Sequence, residues 1–135
     1  MRDIKFRAKR LDNGEWIYGD LHIRTPHAHI HSEIGDKAFI NSETIGQFTG
    51  LLDKNGKEIY EGDIVSRNYS TYAELGFLAE QVCEINYIGF RQSECKFIVV
   101  CKNRHHDLYE PYNLQVEIIG NMIDNKDLYD TRRYK

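Results

Sequence analysis

The sequence predicts a mainly β protein, α+β at most, on three observations. Apolar and polar residues alternate with period two in several short runs, Asn-Gly pairs punctuate those runs, and only one stretch carries helical spacing. At 135 residues the chain suits one compact unit made of two small β subdomains, expected at 1–61 and 62–135. The N-terminal part reads as β-hairpins. The C-terminal part reads as a small bent sheet or SH3-like barrel with a trailing tail.

Ile4, Phe6 and Ala8 alternate with Lys5, Arg7 and Lys9, the pattern of a strand with one buried face. Asp12-Asn13-Gly14 then supplies a hairpin turn into Trp16-Ile17-Tyr18-Gly19-Asp20-Leu21. Pro26 and Gly35 punctuate a second, looser hairpin, with strands expected near 21–24 or 27–32 and at 38–40. Asp53-Lys54-Asn55-Gly56-Lys57 separates two short apolar segments and marks another hairpin. Glu61-Gly62-Asp63 breaks the chain before Ile64-Val65.

The helical spacing lies at 71–81. There Thr71 and Glu74 resemble a capping box, and Tyr72, Leu75, Leu78, Ala79 and Val82 recur at three- and four-residue steps. Strands are expected at Cys83–Tyr87, Phe97–Cys101 and Leu114–Ile119, with a turn over Arg104–Asp107 and a frayed or docked tail from Asp124.

A formal charge of −3 disfavours a protein that coats nucleic acid by neutralising phosphates. The mixed-charge start Met1–Arg7 cannot be the apolar core of a signal peptide, and no run approaches a membrane span. Cys83, Cys95 and Cys101 are odd in number and lack metal-knuckle spacing, which fits a reducing cytoplasm, and Cys83 and Cys101, inside apolar runs, read as buried, inert thiols.

Candidate chemistry is sparse, and no catalytic residue and no cofactor are expected. His27, His29 and His31 alternate, so on a strand they share a face and offer imidazoles to a metal, with His22 as a possible fourth. Exposed hairpin histidines that hold nothing are the preferred reading. Arg104-His105-His106-Asp107 resembles an oriented base without a nucleophile and is read as a solvated loop. Glu58, Glu61 and Asp63 lack calcium-loop spacing. Gly56-Lys57 lacks the remainder of a phosphate-binding loop. Tyr60, Tyr69, Tyr72, Tyr87, Tyr109 and Tyr112 suit a protein interface. Interleaved with Arg67, Arg91, Lys96, Lys102 and Arg104, they equally suit the stacking of single-stranded bases on a small barrel, and a common exposed face is what discriminates the two readings.

The runs Ile45–Leu51, Asp53–Tyr60 and Glu61–Val65, the opening Ile4–Ala8 and Trp16–Asp20, and the closing Val116–Asn121 resemble the YopX family. The anchors appear in the family's order, while 22–44, 66–81 and 124–129 carry no family pattern. The resemblance implies a small bacteriophage or prophage protein in the host cytoplasm, self-associating, with no established biochemical activity. The glycines of the signature read as turn scaffolding. Non-enzymatic action through itself or a phage or host protein is therefore expected, ahead of nucleic-acid binding or a metal-dependent hydrolase built on the histidines.

Overall fold

A computed structural model describes residues 4–24, 27–72, 79–101, 105–109 and 112–132, without the side chains of 68–72, 79–84 and 130–132. Contacts divide the chain into two units, Met1–Gly50 and Leu51–Lys135. The division lies earlier than the expected 61/62 boundary, so the hairpin over 51–60 goes with the C-terminal unit.

The strands are β1 (Phe6–Lys9), β2 (Trp16–Ile23), β3 (Ala28–His31), β4 (Lys37–Phe39), β5 (Gly46–Leu52), β6 (Glu58–Tyr60), β7 (Asp63–Tyr72), β8 (Ala79–Arg91), β9 (Lys96–Val100), β10 (His105–Asp107) and β11 (Glu117–Asn121), followed by a helix, α1 (Lys126–Arg132). They form two antiparallel sheets, ordered β4-β3-β2-β1-β5-β6 and β10-β9-β8-β7-β11, and no closed barrel. The mainly β class is as the sequence predicts, with the open bent sheet in place of the SH3-like alternative.

In the N-terminal unit, Asn13-Gly14 closes the β1–β2 hairpin. Gly14 sits at φ +73°, and Asn13 Oδ1 accepts the Glu15 amide at 2.9 Å. β2 changes partner midway: Trp16–Gly19 pair with β1, and Asp20–Ile23 pair with β3. Gly19 sits at the handover with φ +154°, where a Cβ would lie 2.0 Å from the His31 carbonyl oxygen. Only glycine permits so close a backbone approach.

The sheet then curls. The residue after β4 bridges the residue after β1 (Arg10 and Ile40), Leu11 N donates to Phe39 O at 3.0 Å, and Asn41 N donates to Lys9 O at 2.9 Å. Ala8, Ile17, Ala28, Ile30, Ala38 and Ile40 fill the concave side, with Phe6, Leu21 and Ile45 packed against them. Alanines at three of these positions leave room for a tight curl.

In the C-terminal unit, β7 and β8 pair from Ile64↔Tyr87 to Tyr72↔Ala79. Thr71 and Tyr72 therefore end one strand, and Ala79–Gln81 begin the next, where a helix over 71–81 is expected from spacing. Cross-strand pairing overrides that local periodicity, and residues 73–78 lie outside the described residues. Two further expectations are corrected. Leu114 belongs to a 3₁₀ turn at Tyr112–Gln115, so the last strand is Glu117–Asn121, and His105–Asp107 are a strand rather than a loop. The tail is not frayed over Lys126–Arg132: it forms α1, whose Tyr129 is buried edge-on to Tyr87 with ring centres 5.0 Å apart. The core of this unit is Ile59, Val65, Ile88, Val99, Tyr112 and Val116.

Candidate functional site

Antiparallel register decides which side chains meet on the convex face of the first sheet. β2 and β3 pair Asp20↔His31, Leu21↔Ile30 and His22↔His29, while β3 and β4 pair His29↔Phe39 and His31↔Lys37. Because side chains alternate, Leu21, Ile30 and Ala38 go to the core, and Asp20, His22, His29, His31, Lys37 and Phe39 face outward together. The expectation that alternating histidines share a face holds for His29 and His31.

The third member of the cluster is His22, from the neighbouring strand. The ring centres of His22, His29 and His31 lie 5.1 Å (22–29), 4.4 Å (22–31) and 4.8 Å (29–31) apart, and His22 stacks parallel to His29 within 5°. His27 is exposed and turns instead to Phe39, 5.6 Å away. Sequence spacing alone favours His27 over His22, since only register reveals that residues 22 and 29 are opposite each other.

Although it faces outward, His29 is buried, and the His31 Nε2 atom is buried with no hydrogen-bond partner. Burial, reinforced by Lys37 and the neighbouring imidazoles, holds His29 and His31 below the ordinary histidine range, with Asp20 pulling weakly the other way on His31. Both rings therefore favour the neutral form, which keeps a nitrogen lone pair available. Beside them a cavity of about 200 Å³ is lined by His31, Asp20, Glu33, Ser32 and Lys5.

The remaining candidates separate. On β10, His105 Nδ1 is 3.0 Å from Arg91 Nη2, His106 packs edge-on to Tyr112, and Asp107 is ion-paired with Lys96 at 2.8 Å. His106 Nδ1 is close to the Asp107 backbone carbonyl and not to its carboxylate, so no oriented base results. Its hydrogen bond to Lys96 holds the Asp107 carboxyl below the usual range.

Asp63 Oδ2 accepts the Tyr60 amide at 2.8 Å, and Glu58 Oε1 accepts the Tyr60 hydroxyl at 3.3 Å. Among the described residues, Tyr60 and Tyr112 are buried, Arg67 lies over the Tyr112 ring, and Arg91 and Lys96 pair with Glu94. The side chains of Tyr69, Tyr72 and Cys83, and residues Lys102 and Arg104, lie outside the described residues. Cys95 is exposed and Cys101 is half-buried.

Sequence reasoning missed the role of Asp53. One carboxylate oxygen accepts the Asn55 and Lys57 amides at 2.9 Å each, and the other reaches across to the Ile118 amide on β11 at 3.1 Å. Burial pushes this carboxyl upward, but the amides of Ile118, Lys57 and Asn55 outweigh it and hold the group below the usual range. Gly62 continues the pattern, donating its amide to Ile88 O and accepting from Met122 N. Within one hairpin the signature reads as turn chemistry, but its long-range partners, 65 residues away for Ile118, carry no local signal.

These features define a class: a two-sheet, mainly β protein whose signature carboxylates and glycines brace turns, and which, among the described residues, gathers three imidazoles on one sheet face. Residues 5–130 match the family model described as YopX protein, and the chain belongs to the YopX family. No curated protein matches the chain. Among the described residues, no helix is long and apolar enough to cross a membrane.

Proposed function

We propose that this YopX-family chain is a non-enzymatic accessory protein of phage or prophage origin, acting in the bacterial cytoplasm through protein–protein contacts with itself and with a phage or host protein. The observation that carries the non-enzymatic part is the use of its buried carboxylates. Asp53 and Asp63 are each 2% exposed, and both accept backbone amides in turns. A general acid or base must instead face a substrate proton.

Self-association is supported by Phe39, 55% exposed on β4, and Ile34, 87% exposed in the turn before it, at the end of the first sheet. Lys37 on the same strand discourages open-ended strand pairing, so side-chain contact with a second copy is the expected mode. Light scattering coupled to gel filtration over a wide concentration range tests this reading. A dimer or larger assembly that Phe39→Ser and Ile34→Ser shift toward monomer is expected, and a strict monomer at every concentration discards the self-association.

A further inference from the structure

We infer that the outer face of β2 and β3 is a binding site for one divalent transition-metal ion, held by His22, His29 and His31 with Asp20 beside them. The inference goes beyond the function proposed above and does not depend on it. Three imidazoles bound to one tetrahedral ion, with metal–nitrogen bonds of about 2.0–2.1 Å, hold their ring centres about 5 Å apart. The three rings lie 4.4, 4.8 and 5.1 Å apart. Three such ligands leave a position open for water or a fourth group, and Asp20, the register partner of His31, is placed on the same face.

Two further features favour a cation over a plain aromatic cluster. The buried His31 Nε2 has no hydrogen-bond partner, which is a cost that a ligand removes. His29 is buried, so the packing around it already holds one ligand ring in place. An all-imidazole set selects zinc, cobalt, nickel or copper and not the oxygen-seeking magnesium or calcium.

Among the described residues, no group of three or more His, Cys, Asp and Glu side chains is placed to hold a metal ion as the side chains stand. The stacking of His22 on His29 accounts for this, because parallel rings do not radiate from a common centre. His22 is exposed, so its ring turns freely about a broad side-chain torsion. Arg24 and Lys37 oppose a cation on this face, but both are exposed and screened by solvent.

The test uses the untagged 135-residue chain titrated with Co²⁺ at neutral pH and followed by visible absorption, with Zn²⁺ as competitor. One Co²⁺ per chain, with ligand-field bands abolished by Zn²⁺, is expected. His22→Ala and His31→Ala should each weaken binding about tenfold or more, and His27→Ala should leave it unchanged. Because His22 is exposed, His22→Ala is expected to stay folded, with circular dichroism as the check. Absence of Co²⁺ bands in the wild-type chain, wild-type affinity in a folded His22→Ala, or equal weakening by His27→Ala would overturn the inference.

Discussion

The two units handle their polar groups in opposite ways. In the N-terminal unit the imidazoles of His22, His29 and His31 are gathered against one another on the convex face of a curled sheet. In the C-terminal unit the buried carboxylates are dispersed, and each is tied to backbone amides: Asp53 to Asn55, Lys57 and Ile118, and Asp63 to Tyr60. A carboxylate that accepts several amides fixes a turn and is chemically quiet. Imidazoles that face one another have strong bonds still to make, so the contrast separates bracing from reactivity within one small chain.

The largest expected effect lies where the curl itself is made. Gly19→Ala puts a methyl group 2.0 Å from the His31 carbonyl oxygen at a backbone angle of +154°. Neither strand can yield without losing its ladder, so a loss of about 4 kcal/mol is expected, at the upper end for a point substitution. Urea unfolding followed by fluorescence of Trp16, the sole tryptophan, measures it. A loss under about 1 kcal/mol would show that β2 and β3 separate easily, and the convex face would lose its claim to a fixed geometry.

Next comes the brace of the other unit. Asp53→Ala strands the amides of Asn55, Lys57 and Ile118 together, two in the hairpin and one on β11. About 3 kcal/mol is expected, since each unsatisfied buried group costs about 1–3 kcal/mol and the hairpin amides regain water in part. Gly120→Ala should cost less, about 1–2 kcal/mol. There the added methyl group meets the Asn125 side chain at 2.7 Å, and that side chain can swing away at the expense of its hydrogen bond to the Asn121 amide. If Gly120→Ala proved costlier than Asp53→Ala, the edge of β11 and not the 53–57 hairpin would be the main support of this sheet.

How much of this was legible depends on how far apart the interacting residues lie. The period-two runs and Asn13-Gly14 and Asn55-Gly56 announce strands and turns because their physics is local. His29 and His31 announce a common face for the same reason. Replacing His27 by His22 required the β2–β3 register, which follows from the handover at Gly19, itself a consequence of a backbone contact 12 residues away. The apparent helix over 71–81 shows the opposite failure: a local pattern at Tyr72 and Ala79 yields to a long strand pair that the pattern does not report. Asp127-Leu128-Tyr129 looks like a frayed end until Tyr129 meets Tyr87, a contact that no nearby residue foretells.

The smallest effect separates the two units by pH. His29 and His31 are lowered from 6.5, chiefly by burial, so their neutral forms support the folded sheet fully above that value, and the support is lost as pH falls below it. Asp53 is lowered from 3.8, where three backbone amides overcome its burial, so its contribution persists until the pH drops below that lower value. On acid titration, Trp16, whose ring lies under Arg7 and Lys9, should change its fluorescence first, while the circular dichroism of the second sheet holds until a more acidic step. Replacing His29 and His31 by Gln should remove the first step and leave the second in place. A single concerted transition, unmoved by those substitutions, would mean that the imidazole face contributes nothing to acid sensitivity and that the carboxylates of the second unit set it alone.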